Sequence, residues 1–248
     1  MDIISDTHIE LCKEKYIKDI LLPNLIKKKK SSLLALCGDI GNVYNEEQQM
    51  KLSFFLSSLK EHYNTILYVP GNHEYYGSNK YKQSIDETEK YLKEICNKIG
   101  VILLIRGNYE NEKYIIYGCT LWSMLPHDMS YYLNDLTKIN GMNYNKYNEL
   151  HIKDSLWLIN NLNKENHKTI IVLTHHLPSH QLIDPKFKSY GELNKCYYSN
   201  MDFLFDKVNI WCCGHSHQRI DKYIENTRII INAIGYKGQF KTIDIKTI

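Results

Sequence analysis

Five short segments hold the reactive residues of this chain: Asp6-Thr7-His8, Gly38-Asp39, Gly71-Asn72-His73-Glu74, Thr174-His175-His176 and Gly214-His215-Ser216-His217. Each follows an apolar run of strand length: Met1 to Ile4, Leu33 to Cys37, Thr65 to Val69, Thr169 to Leu173 and Val208 to Cys213. A sheet made of those runs would deliver carboxylate, amide and imidazole ligands to one edge. Within a strand, residues i and i+2 share a face, so Asp6 and His8 can turn to one ion, and His215 and His217 can do the same. Asp39 has two carboxylate oxygens and can bridge two cations. Asn72 adds a neutral oxygen that leaves positive charge on the metal. Mixed nitrogen and oxygen ligands without thiolate fit Mn, Fe or Zn better than Ca, with Mg as a further candidate. A divalent pair held in this way favours attack of water on phosphorus.

Taken singly, each residue has a plainer role. Asp6 caps a turn, Asp39 closes a Gly-Asp turn, and Asn72 after Pro70-Gly71 is turn chemistry. The plain roles do not explain why so many of the 11 histidines gather at strand ends. A structural zinc site from Cys212, Cys213, His215 and His217 is a weaker alternative. Adjacent cysteines face opposite sides of a strand, and the second half of a Cys-x-x-Cys pattern is absent.

The elements that must position these groups follow from periodicity. With 248 residues and 43% apolar content, residues 1–248 read as a single α/β domain with a sizeable core. Helical spacing at Leu52, Phe55, Leu56, Leu59 and Tyr63 follows Asn45, a natural cap. A second helix carries Ile85, Thr88, Leu92, Ile95 and Ile99, with a Ser84/Glu87 capping box and Gly100 as its stop. A third covers about 144–162, with Leu150, Asp154, Trp157, Leu158 and Asn161 inward; Asp154 is read as a helix-surface residue or a support for the site, with no catalytic role. Further strands are expected at 101–105, 114–120, 229–233 and 240–245, and 177–200 reads as a long loop beside the site. The run before Asp6 predicts a short first strand. Strand–helix alternation followed by strand-rich sequence predicts two stacked sheets with helices outside.

Charge and cysteines narrow the setting. A net charge of +3 is too small to indicate a nucleic-acid surface. The basic run Lys27 to Lys30 reads as a helix C-terminus. The 7 cysteines show no paired framework, and several lie in apolar runs, as buried free thiols do. That predicts a reducing, cytoplasmic setting. No membrane span or secretory leader is apparent.

The motif set D-x-H, G-D, G-N-H-[E/D], a histidine after a strand, and G-H-x-H resembles the calcineurin-like metallophosphoesterase superfamily, in a small cytosolic branch. The match runs from residue 6 to residue 217. The resemblance implies a four-layer α-β-β-α sandwich and hydrolysis of phosphate mono- or diesters. It implies one metal on Asp6, His8, Asp39 and His217, a second on Asp39, Asn72, His175 and His215, and Asp39 as the bridge. His73 then contacts the reacting phosphoryl group or the leaving oxygen, and Glu74 either orients His73 or faces the surface. His176, beside a ligand, is read as a substrate contact or a support for that ligand. Protein phosphatases of this superfamily place Asp and Arg after the G-D motif; here the chain reads Ile40-Gly41-Asn42, which argues against a phosphoprotein substrate. A small phosphate ester, nucleotide-like substrates included, is the expected partner. Tyr75, Tyr76, Lys186, Lys188, Tyr190, Tyr197 and Tyr198 are expected near the cleft, mainly as packing. A second reading, a protein-interaction scaffold on the same fold, typically loses the histidine at position 73 or some of the ligands, and here all are present.

Overall fold

The computed structural model describes residues 1–78, 80–162 and 167–248. Its strands, in chain order, are β1 (Asp2–Ile4), β2 (Leu33–Cys37), β3 (Thr65–Val69), β4 (Ile102–Leu103), β5 (Gly107–Glu110), β6 (Tyr114–Gly118), β7 (Thr169–Leu173), β8 (Ile210–Cys213), β9 (Arg219–Ile224), β10 (Thr227–Asn232) and β11 (Lys246–Thr247). They form two sheets, ordered β11-β1-β2-β3-β4 and β5-β6-β7-β8-β10-β9. In the first, β1 to β4 run parallel and β11 joins β1 antiparallel. In the second, β6, β7, β8 and β10 run parallel, with β5 and β9 as antiparallel edges. The central parallel strands are mostly apolar, as in Leu33–Cys37 and Thr169–Leu173, because both of their faces are covered.

The helices are α1 (Glu14–Tyr16) and α2 (Leu22–Lys28), joined through a π-turn at Ile17–Leu21, then α3 (Glu46–Lys60), α4 (Ile85–Ile99), α5 (Asp135–Lys138) and α6 (Tyr144–Leu162). Asn45 accepts the backbone N–H of Gln48 at the start of α3. Ser84 and Glu87 form the capping box of α4, and Gly100 ends it with φ 80°. Three apolar layers result. Leu25, Phe55, Leu56 and Leu92 pack the first helices on one face of the first sheet. Ile3, Leu67, Val69, Ile171, Leu173 and Ile230 fill the seam between the sheets. Leu158 and Leu162 of α6 join Val172, Trp211 and Ile229 behind the second sheet. The order of layers is therefore α-β-β-α. Each fully buried Ile or Leu in the seam contributes roughly 1.5–3 kcal/mol.

Several expectations change. The strand expected at 101–105 shrinks to β4, and the last strand lies at Lys246–Thr247, after the expected 240–245. β5 and β9 escape the apolar pattern because edge strands meet solvent: β5 alternates half-buried with exposed residues, and β9 reads Arg-Ile-Asp-Lys-Tyr-Ile with Asp221 to Tyr223 exposed. The stretch 177–200 is not an open loop. It folds into 3₁₀ turns at His180–Leu182 and Pro185–Cys196, kinked at Gly191, and is tied down by a bridge between Leu177 and Tyr198. Short 3₁₀ turns have no long apolar period to read. Asp154 pairs with Arg106 at 2.7 Å and accepts the N–H of Leu121 at 2.8 Å. It thereby anchors two residues with left-handed backbone.

Candidate metal centre

All seven expected ligands lie just past strand ends on one rim of the sandwich. The first sheet brings Asp6 and His8 after β1, Asp39 after β2 and Asn72 after β3; the second brings His175 after β7 and His215 and His217 after β8. The Asp-x-His and His-x-His pairs are not presented from strands, as their spacing predicted. β1 ends at Ile4 and β8 at Cys213. Asp6 (φ 54°), His8 (44°), Asp39 (54°), His215 (66°) and His217 (49°) instead adopt left-handed backbone. Such conformations are costly for residues with side chains and gather at functional sites.

The loops hold one another in place. Asp6 N–H donates to Gly38 O, His8 N–H to Asp39 O at 3.0 Å, and Gly214 N–H to His175 O. Two glycines permit the close approach: a Cβ on Gly71 would lie 2.2 Å from Asp39 Oδ1, and one on Gly38 would lie 2.2 Å from His175 Nδ1. Glu74, expected to orient His73 or face solvent, does neither. It is buried and accepts the N–H groups of Asp39 (3.0 Å), Ile40 (2.6 Å) and Gly71 (2.7 Å) and the hydroxyl of Tyr68 (2.7 Å). It is the brace of the two loops.

Around Asp39 the ligand atoms converge. Asp6, His8 and His217 bring ligand atoms within 4.8 Å of one another, as do Asp39, His175 and His215. Asp39 Oδ2 lies 3.7 Å from His8 Nε2, and Oδ1 lies 3.2 Å from His175 Nε2. Asn72 Oδ1 is 3.1 Å from His175 Nε2. His8 Nε2 and His217 Nε2 approach to 2.9 Å.

Three of the four expected imidazole ligands are oriented by their other nitrogen. Nδ1–H of His175 donates to Cys37 O at 3.0 Å, that of His217 to Gln239 Oε1 at 2.9 Å, and that of His8 to Glu10 Oε1 at 3.1 Å. Such bonds leave Nε2 as the free lone pair. His215 Nε2 is buried with no hydrogen-bond partner among the described residues. Burial and the neighbouring rings of His176 and His175 push its pKa well down, so its lone pair stays available. An orphaned neutral nitrogen beside buried carboxylates fits a cation.

Burial would raise the Asp39 carboxyl, but the rings of His175, His73 and His8 outweigh it and hold the pKa well below the usual range. His73 N–H donates to Asp39 Oδ1 at 2.9 Å, and its Nδ1 lies 3.2 Å from Glu10 Oε1. Burial lowers the His73 pKa; Asp39 and Glu10 raise it further, to about 9. The ring of Tyr76 stacks on that of His73 at 4.2 Å.

His176 is fully buried. Its ring lies 4.2 Å from that of His215, with Trp122 beyond it at 5.6 Å. A cleft of ≈ 620 Å³ opens against His215 and His217, walled by the rings of Phe187, Tyr190, Tyr197 and Tyr236, with Lys186 and Lys237 in its lining. Tyr75 and Tyr198 pack internally instead, and Lys188 is exposed. Glu10, Asp135, Gln239 and Tyr236 also border the centre, and sequence reasoning missed them. Tyr236 packs 4.6 Å from the rings of both His8 and His217.

The chain belongs to the calcineurin-like phosphoesterase family, whose sequence profile matches residues 2–219. It is a metal-dependent hydrolase of phosphoric ester bonds. It is 32% identical over 229 residues to "Uncharacterized protein L509" of Acanthamoeba polyphaga mimivirus, covering 83% of this chain and 79% of that one. The crystal structure of Phosphopantetheinyl Hydrolase (PptH) from Mycobacterium tuberculosis matches with a TM-score of 0.75 at 16% identity, covering 100% of this chain and 94% of that one. The latter likeness is one of fold. Among the described residues, no helix is long and apolar enough to cross a membrane.

Proposed function

We propose that the chain hydrolyses small phosphate esters with two divalent ions, Mn, Fe or Zn first and Mg next. Asp6, His8, Asp39 and His217 would hold one ion; Asp39, Asn72, His175 and His215 would hold the other. The observation that carries this reading is the position of Asp39, whose two oxygens face the His8 cluster on one side and His175 on the other. When bound, the ions supply Lewis-acid polarisation of the phosphoryl oxygens and lower the pKa of water.

The residues do the rest. A water oxygen bonds to phosphorus, the bond from phosphorus to the ester oxygen breaks, and that oxygen takes up a proton. The Nδ1 atom of His73 is committed to Glu10, so Nε2 is the nitrogen that holds or passes the proton. A group of this kind contributes about 10²–10⁴-fold. His176 packs behind His215 and keeps that ring in place. The alcohol half of the ester lies in the aromatic cleft, which favours a planar aryl or nucleoside group; stacking on such rings contributes about 1–3 kcal/mol per base. Residues 1–248 act as a single domain, a view supported by the pairing of β11 with β1. All 7 cysteines are buried free thiols, which supports a reducing, cytoplasmic setting.

The test is reconstitution. Stripped protein receives Mn²⁺, Zn²⁺, Fe²⁺ or Mg²⁺ and is assayed on aryl monoesters, diesters and nucleotides. Turnover should return only with two equivalents of ion. Asp39→Asn should lose about 10²–10³-fold or more, and near-normal turnover in that variant would reject the site.

A further inference from the structure

We propose that Glu10 is the positioning residue for both halves of the centre: one carboxylate oxygen fixes His8 as a metal ligand and His73 as the proton carrier. This rests on the two-ion reading above. Glu10 Oε1 lies 3.1 Å from His8 Nδ1 and 3.2 Å from His73 Nδ1. The two rings meet edge to face at 4.6 Å. A carboxylate oxygen has two lone pairs and accepts both N–H groups at once. Each contact selects the same tautomer, Nδ1–H with Nε2 free. For His8 the free nitrogen faces Asp39 Oδ2 and His217 Nε2.

Among the described residues, no other carboxylate lies against the His73 ring nitrogens in this way. The segment after Asp39 offers Asn42, whose Oδ1 is buried with no partner among the described residues. Glu74, the next residue in the chain, is turned to the backbone of Asp39, Ile40 and Gly71. Glu10 reaches both rings because it sits in the 3₁₀ turn Ile9–Leu11, anchored by the Ile9 N–H on Ile40 O. Its side chain is 4% exposed, and Oε2 has no hydrogen-bond partner among the described residues. Burying an oxygen unpaired opposes folding, so packing does not account for a carboxylate here.

The proposal joins two effects that are usually separate. Losing Glu10 weakens metal binding through His8 and weakens proton delivery through His73. Losing His73 affects only the second. Glu10→Ala, Glu10→Gln and His73→Ala separate these cases. In metal-free protein, at a pH above the raised His73 value of about 9 where the rings are neutral, ¹H–¹⁵N spectra of the imidazoles should show the Nδ1–H tautomer for His8 and His73, and Glu10→Ala should lose it at both. Zn²⁺ or Mn²⁺ titration should show a 10–100-fold weaker ion in Glu10→Ala and unchanged affinity in His73→Ala. Across aryl phosphates, Glu10→Ala and His73→Ala should both lose at least about tenfold more rate on phenyl phosphate than on 4-nitrophenyl phosphate. Glu10→Gln keeps an acceptor oxygen and should fall between wild type and Ala on every readout; it carries the test if Glu10→Ala does not fold. Unchanged tautomers in the Glu10 variants would overturn the proposal, as would a uniform rate loss with unaltered metal affinity. If wild type takes up fewer than two ions, the two-ion reading fails, and the tautomer spectra still decide the Glu10 contacts.

Discussion

The side-chain amide of Asn72 donates from Nδ2 to Oδ1 of Asp135 at 2.8 Å. That bond decides which way the amide faces, so Asn72 Oδ1 points to the centre beside His175. The same Asp135 oxygen accepts the hydroxyl of Tyr76 at 2.5 Å, and Tyr76 stacks on His73. Asp135→Leu removes both contacts and frees the amide to flip. Metal affinity at the Asn72 position should fall about 10–100-fold, as measured by titration of stripped protein. Unchanged affinity would mean that Asn72 is held by something else.

Glu74→Ala leaves the N–H groups of Asp39, Ile40 and Gly71 and the Tyr68 hydroxyl without their acceptor. Each unsatisfied buried donor costs about 1–3 kcal/mol, less what relaxation and water recover. Urea unfolding of the metal-free protein should show a loss of about 3 kcal/mol or more. A loss under about 1 kcal/mol would show that the loops have another brace.

Proton linkage gives a third test. Burial lowers the His175 pKa, but Asp39 and Asp6 raise it further, from 6.5 to about 10 in the metal-free chain. A raised folded-state pKa stabilises the fold fully below the unfolded value and ceases to do so as pH climbs through the folded one. The Tm of metal-free protein should therefore decline between pH 6.5 and pH 10, and His175→Gln should flatten the slope. A wild-type curve that is already flat over this window would refute the pairing with Asp39.

The cleft makes a fourth prediction. Tyr197 and Tyr236 flank the imidazoles of His215 and His217, at 5.1 Å and 4.6 Å between ring centres. Tyr197→Ala should raise KM for aryl and nucleoside esters by about 5–150-fold, equivalent to roughly 1–3 kcal/mol of stacking, and should leave methyl phosphate kinetics unchanged. Equal losses on both ester types would place the ester group elsewhere.

Much of this molecule was legible in its sequence, for reasons that can be stated. The central parallel strands announce themselves because two-sided burial demands mostly apolar runs, and the caps at Asn45 and Ser84 act within one turn of chain. The seven expected ligands are those the family resemblance implies, and their motifs stand in the sequence, yet their backbone is not legible there: the loops cross and lock, so Asp6, His8, His215 and His217 turn inward through left-handed conformations instead of strand alternation. Glu10 and Asp135 were illegible. Each is an ordinary acid in a polar stretch, and only the folding of distant segments brings it to His73 or Asn72. Glu74 is next to His73 in the chain, but its carboxylate turns away from the His73 ring to the N–H groups of Asp39, Ile40 and Gly71.

The rim of the sandwich has a mechanical consequence. Asp6, His8, Asp39 and Asn72 come from one sheet; His175, His215 and His217 come from the other. Each proposed ion would be gripped from both sides at once and would act as a rivet across the seam. A chelator would then do more than silence the enzyme: it would unbutton one margin of the sandwich, with faster amide exchange in the loops after β1, β2, β7 and β8 than in the strands behind them.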